Sequence, residues 1–363
     1  METHGPVPFE SIRPEAWDAA AGARRTPMQQ HIWASAYAET LARGQVDVYV
    51  AGDKGSPQGL APFARSVAGS GRWTLLGAED IWESVEVSSV SGEAEAALAE
   101  ALAAAGRPLR FGHYPSDSAF VAALRDEAPG RSVVVSRPFP GRASPRIALD
   151  ASWQQPEMKL SSRRRSDLKR MGRIGGEFGA VTYDIAAPGP ESVDALVDEA
   201  FDVEARNWKG RAGTAIASVA PVANFYRAYA RRAAAAGMLR LAFLRVDGVA
   251  AAMQFAVQCD NAFWLLKIGY VDDFRRCSPG NLLMRHTIAH AAGAGLGAFE
   301  FLGKESEWTR LWSDQARPVS SLRLYPLNVS GAAVFASDAA DQIRRKLQRR
   351  PAPETAAVAE PAD

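Results

Sequence analysis

The chain has 363 residues, 47% hydrophobic and 23% charged, which excludes a disordered or fibrous protein and leaves length for two ordinary domains. A net charge of +1 gives no global pull toward nucleic acid or membranes, so electrostatic recognition has to be local. Two cysteines, Cys259 and Cys277, make no disulfide framework or zinc cluster, and no metal is expected.

In chain order, the polar N-terminus carries no signal-peptide pattern and no apolar run reaches about 18 residues, so a cytoplasmic protein without membrane insertion is expected. The first half reads as helix 28–42, strands 46–52, 59–67 and 72–78, helix 92–106, strand 108–114, helix 118–128 and strand 131–137. The second half reads as helices 160–178, 190–209 and 221–236, with Pro221 suited to a first helical turn. Strands 238–246 and 249–258 follow, joined by Asp247-Gly248, a two-residue hairpin signal, and then strand 262–271 after Cys259-Asp260-Asn261. A loop leads to helix 281–295, strand 298–303, helix 306–312 and strand 320–327. Both halves repeat one element order, which implies a tandem repeat: a domain over 1–150, a second over 151–330, a basic, solvated helix over 331–350 and a disordered tail over 351–363.

The sharpest chemistry precedes helix 281–295, in Arg275-Arg276-Cys277-Ser278-Pro279-Gly280-Asn281. A helix N-terminus offers free backbone N–H groups and the positive end of a dipole, which suits a pyrophosphate. Gly280 would admit the phosphates closely, and Arg275 and Arg276 would add charge-assisted hydrogen bonds; an ordinary capping loop would read similarly. Helix 160–178 places Leu160, Leu168, Met171 and Ile174 on one face and Arg165, Lys169, Arg170 and Arg173 on the other. Arg164 falls among the apolar residues, and an inward arginine needs an anion, so Arg164 is a candidate substrate contact. Trp208, Lys209 and Arg211 sit in a glycine-bearing loop suited to the acceptor side. His286 and His290 lack a third metal ligand and read as packing or surface residues. Cys277 lies beside a helix N-terminus, a place that lowers thiol pKa in principle.

Strand, Arg-x-x-Ser-x-Gly, helix, strand is similar to the acyl-CoA pyrophosphate loop of GNAT acetyltransferases, with Ser278 at the first glycine of the usual pattern. Residues 158–318 resemble the GNAT type associated with cellulose and exopolysaccharide biosynthesis (BioF2-like), through LSSRRRSDLKRMGRIGGEFG, EARNWKGRAGTAI, SPGNLL and FEFLGKESEW. The family's Tyr-Lys pair near the end is replaced by Glu307, Trp308 and Thr309. Residues 1–150 resemble a degenerate first GNAT copy whose VEVSSVSGE segment has no basic glycine loop, and the tandem arrangement is similar to Fem-type transferases, which move aminoacyl groups from tRNA.

The resemblance implies an α/β (α+β) fold of tandem GNAT-like domains, each a mixed, mainly antiparallel sheet flanked by helices. It implies acetyl-CoA or another acyl-CoA as co-substrate, held by Lys267, Ile268, Arg275, Arg276, Ser278, Gly280 and Asn281. Tyr270 is then the candidate acid and Asp272 or Glu305 the candidate base, with Lys304 and Trp308 near the acceptor. The expected activity is N-acyl transfer to an amine of an amino sugar, amino acid or polysaccharide precursor by a monomer or homodimer. The alternatives are an aminoacyl-tRNA-dependent transferase, with tRNA as partner, and a non-catalytic partner in a polysaccharide or secretion assembly. Phe255, Phe263 and Trp264 read as core, or as the lining of a tunnel for longer acyl chains.

Overall fold

The computed structural model describes residues 1–22, 26–66, 71–81, 83–207, 213, 216–303 and 305–348. The first half comprises β1 (Thr3–Pro8), α1 (Pro14–Ala20), α2 (His31–Thr40), β2 (Asp47–Asp53), β3 (Ser56–Arg65), β4 (Trp73–Leu75), β5 (Ser88–Ser89), α3 (Gly92–Ala103), β6 (Leu109–Pro115), α4 (Ala119–Glu127) and β7 (Ser132–Ala148). The second comprises α5 (Ser162–Phe178), β8 (Val181–Ala186), α6 (Val193–Ala205), α7 (Ala220–Ala235), β9 (Leu239–Val246), β10 (Val249–Cys259), β11 (Ala262–Tyr270), α8 (Pro279–Gly293), β12 (Ala298–Glu300), α9 (Glu307–Arg310), β13 (Gln315–Pro326) and α10 (Val329–Gln348). Mixed α/β structure with a mainly antiparallel sheet is as the resemblance implies.

All the strands join one 13-stranded sheet in the order β1-β2-β3-β4-β6-β13-β7-β12-β11-β10-β9-β8, with β5 on β3. Among the described residues, only β4–β6 and β11–β12 are parallel. The order shows an exchange: β13, last in the chain, lies between β6 and β7, and β7, from the first half, reaches β12. The two halves therefore share one hydrogen-bonded ladder. This is why β7 runs 17 residues where local pattern suggested 131–137: its partners lie nearly two hundred residues away in sequence. Local reading also passed over β1, β5 and β8. The two hairpin turns of the second half were legible, and Asp247, Gly248, Asp260 and Asn261 all adopt positive φ (46°, 81°, 48° and 59°), as two-residue hairpin turns require.

One core runs through both halves. Trp33 of α2 packs edge-on against Phe225 and Tyr229 of α7, with ring centroids 4.8 and 4.9 Å apart. Gln30 donates to the Cys259 thiol at 3.0 Å, and Lys267 pairs with Glu83 at 2.9 Å. Phe255 and Phe263 are fully buried core and Trp264 nearly so. Among the described residues, no helix is long and apolar enough to cross a membrane.

The C-terminal helix departs from expectation. It starts at Val329, ahead of the basic run, and is not solvated all round: Asp338 is buried. Its carboxylate bonds Arg72, pairs with Arg323 at 2.7 Å and accepts from Tyr325 Oη at 2.6 Å. Two guanidiniums enclosed beside β13 need a counter-charge, and this helix supplies it. The tail over 351–363 lies outside the described residues. Asp338→Ala strands both cations, so a loss of about 3–5 kcal/mol of stability is expected by denaturant titration; a change below about 1 kcal/mol would contradict the clamp.

Candidate functional site

Strands β11 and β12 pair only at Ala262↔Ala298, Phe263↔Phe299 and Trp264↔Glu300. β12 then ends while β11 continues to Tyr270, and a cavity of about 570 Å³ opens beside its free stretch. Its lining comes from Met253, Gln254, Ile268, Gly269 and Tyr270 on the β10–β11 hairpin, Asn207 after α6, Arg275 through Asn281 in part, Met284 and Trp308.

The α8 N-terminus stands at the mouth of this cavity. After a 3-10 turn over Asp272–Cys277, Ser278 adopts φ 47° and ψ 56° as the helix cap, with Pro279 in the first turn. The left-handed region is where glycine is at ease, so this serine fills a glycine's role at a cost of about 1 kcal/mol. The Asn281 and Leu282 N–H groups donate back to the Ser278 carbonyl at 2.9 and 3.3 Å. A Cβ built on Gly280 meets nothing within 4 Å, so this backbone borders open space. Gly280, Ser278 and Arg275 all line the cavity. Pro279 has no N–H and those of Asn281 and Leu282 are taken, so the Gly280 N–H, the helix dipole and the Arg275 guanidinium converge on one opening, an arrangement suited to a phosphate-bearing ligand.

Deeper in, Gln254 is buried with its Oε1 unpartnered, while its Nε2 lies 3.7 Å from Met284 Sδ. A buried amide with half its capacity unused lines the cavity, ready for a ligand donor. Gly269 is required here: a Cβ would stand 2.8 Å from the Glu204 Cα, so α6 rests on bare β11 backbone.

Seven of the expected residues come together at the cavity: Ile268, Tyr270, Arg275, Ser278, Gly280, Asn281 and Trp308. Lys267 points away from it. The β10–β11 register slips by one between Phe255↔Lys267 and Ala256↔Leu265, so Leu266 is an extra residue that inverts the alternation beyond it. Lys267 therefore joins the face turned to the first half, beside Glu83 and over the Tyr226 ring at 5.1 Å. Burial alone would lower its pKa, but Glu83 and Tyr226 outweigh burial and hold it raised and charged.

Arg276 lies over Phe178 at 5.9 Å. The half-buried Asp272 donates its backbone N–H to the Arg206 carbonyl at 3.3 Å, outside the cavity lining. Glu305 pairs with Arg310 at 3.0 Å, which holds its carboxyl below the usual range. Arg164 is exposed, not inward. Ser161 caps α5 by accepting the Arg164 N–H at 3.3 Å, which puts Arg164 in the first turn, clear of the buried Leu168 and Gly175. Trp208, Lys209, Arg211 and Lys304 lie outside the described residues. His286 stacks on Tyr183 at 4.7 Å. The Cys277 thiol is buried and donates to the Phe274 carbonyl at 3.1 Å; burial pushes its pKa up, opposite to the helix-terminus effect.

Sequence reasoning missed Asn207, Met253, Gln254 and Met284. A signal existed for Gln254, a lone amide inside the apolar strand VAAAMQFAV. None existed for the methionines, which look like core from sequence.

Residues 162–310 match the family model described as an acetyltransferase (GNAT) domain. Solved structures share the fold over most of the chain. FemX is 12% identical over 90% of this chain and 98% of its own, with a TM-score of 0.59. The C-terminal DUF2156 domain of a protein described as a lysylphosphatidylglycerol synthetase from Agrobacterium fabrum is 13% identical over 91% and 96%, with a TM-score of 0.57. L-PGS from Bacillus licheniformis is 12% identical over 94% and 98%, at 0.51. No curated relative matches the chain.

Because Ser278 is held at positive φ, Ser278→Gly should change stability by less than about 1 kcal/mol and preserve the cavity, whereas Ser278→Val should cost roughly 2 kcal/mol. Paired thermal melts read both; equal tolerance of valine and glycine would contradict the left-handed cap.

Proposed function

We propose that this chain, whose residues 162–310 match the model of an acetyltransferase (GNAT) domain, is an acyl-CoA-dependent N-acyltransferase acting on an amine of an amino sugar, amino acid or polysaccharide precursor. The observation that carries this reading is the α8 N-terminus, with Gly280 open to the cavity where β11 and β12 part. In this reading the donor pyrophosphate lies at the α8 N-terminus against the Gly280 N–H, with Arg275 adding charge. Gln254 offers its free carbonyl oxygen to an amide of the donor arm. When bound, the donor supplies an activated thioester carbonyl. The β11 backbone from Ile268 to Tyr270 orients that carbonyl and polarises it through an N–H group. Tyr270, half-buried at the cavity wall, is placed to protonate the departing thiolate. Neither Asp272 nor Glu305 lines the cavity, so a proton acceptor is better sought elsewhere.

A second reading has its own observation. Along α5, Arg163, Arg164, Lys169, Arg170 and Arg173 are exposed on a helix that packs beside the capping loop, where a Cβ on Gly175 would sit 3.8 Å from the Cys277 Cβ. A basic face next to the donor mouth suits the 3′-phosphate of CoA or the backbone of an aminoacyl-tRNA. The FemX fold is compatible with the latter.

Calorimetry separates the readings. CoA should bind the wild type in the micromolar range, and Gly280→Glu should weaken binding at least 100-fold while leaving the melting temperature unchanged, because the new side chain enters open space. Absence of CoA binding, together with a salt-sensitive tRNA shift, would replace the first reading with the second.

A further inference from the structure

A second, smaller cavity lies where both halves meet. It is lined by Ser84 and Glu86 of the first half, Ser144 of β7, and Trp264, Glu300 and Arg317 of the second. Trp264 and Glu300 are the last residues at which β11 and β12 pair. A donor held at the α8 cap and laid along β11 therefore points its far end at this pair. The two cavities are bordered by the same two segments: β11 carries Trp264 at one and Ile268 at the other, and the stretch after β12 carries Leu302 at one and Trp308 at the other. Leu302 adopts φ 56° there, a conformation bulky residues avoid, and it aims its buried side chain into the small cavity.

The charges in this cavity are unevenly satisfied. Glu300 is buried and doubly paired, to Arg317 at 3.2 Å and Arg146 at 3.3 Å. Glu86 has no hydrogen-bond or ion-pair partner among the described residues. Arg317 is the cation whose charge it feels, but that guanidinium is engaged by Glu300. Glu86 also faces Asp117 before α4, Glu95 on α3 and, on β6, the Tyr114 hydroxyl, all of which oppose its ionisation or leave it unaided. A half-buried carboxylate whose nearest cation, Arg317, is already paired with Glu300 keeps unused capacity for a further cation. The free room is about 20 Å³, enough for one water-sized group.

Resting on the acyl-transfer reading, we propose that this inter-half cavity is the acceptor subsite, and that Glu86 receives the primary ammonium group of the amine that is to be acylated. The size admits the –NH₃⁺ head of a primary amine and rejects a quaternary ammonium head. The first half thereby contributes a recognition residue to a donor site built wholly in the second. Burial pushes the Glu86 pKa up to about 6, so the carboxylate is charged and receptive at neutral pH and loses the ammonium as pH falls through that value.

The test uses the full chain, with its glutamate carboxyl carbons labelled for NMR and Glu86 identified by Glu86→Gln, or by Glu86→Asp should the first variant fail to fold. Methylammonium chloride is the probe, with sodium chloride and tetramethylammonium chloride at matched ionic strength. Methylammonium at about ten times its dissociation constant should lower the Glu86 titration midpoint by about one unit, and the two controls should not. No shift with methylammonium, or an equal shift with tetramethylammonium, would overturn the proposal and leave Glu86 a hydrated carboxylate. The probe needs no donor, so this outcome is independent of whether CoA binds. With any primary-amine acceptor, Glu86→Gln should raise the acceptor KM roughly tenfold or more and leave CoA affinity unchanged.

Discussion

Strands β11 and β12 are parallel neighbours for three residue pairs and then part, and the site follows from that parting. A parallel pair needs a crossover, which here is α8, and the crossover delivers a 15-residue helix with its N-terminus at the mouth of the gap. Three physical requirements meet there. Backbone donors need an anion, an opened sheet edge needs a covering partner, and a left-handed cap needs a small residue. Ser278, Pro279 and Gly280 meet them in three consecutive positions.

The second constraint is the exchange of β7 and β13. Because each half's closing strand is paired across the join, neither half completes its sheet alone, and α10 fixes the exchanged strand by placing Asp338 between Arg72 and Arg323. The join also fixes the geometry of the cleft floor. Glu83 ties the first half to Lys267 on the face of β11 turned from the cavity, and Trp33 ties α2 to Phe225 and Tyr229 of α7. The first half thus shapes the second half's cleft through these contacts.

Much of this was legible in the sequence, and the reasons are local. Asp247-Gly248 marks its hairpin because only certain residues tolerate positive φ, and the α5 wheel sorts Leu168 from Lys169 because 3.6 residues make a turn. The Arg275–Asn281 loop was readable because its chemistry is carried by consecutive residues. What could not be read depends on distant partners or on counting. The slip at Leu266 inverts the faces of β11, so alternation counted from Trp264 sends Lys267 to the wrong side. Arg164 follows the wheel angle of an apolar residue, yet the helix begins only two residues before it and overhangs its support. The length of β7 is set by β13 and β12, both far away in sequence. Gln254 was the missed residue with a readable signal, because an amide in a fully buried strand needs a partner that the strand cannot supply.

Amide hydrogen exchange on the full chain, with and without CoA, tests the central claim most directly, since it reports the backbone groups said to bind the donor. The account predicts slowed exchange confined to two segments, the first turn of α8 at Gly280–Leu283 and the free end of β11 at Leu265–Tyr270, with β2 and β3 of the first half unchanged. Protection absent from the α8 turn, or centred on the first half, would contradict it.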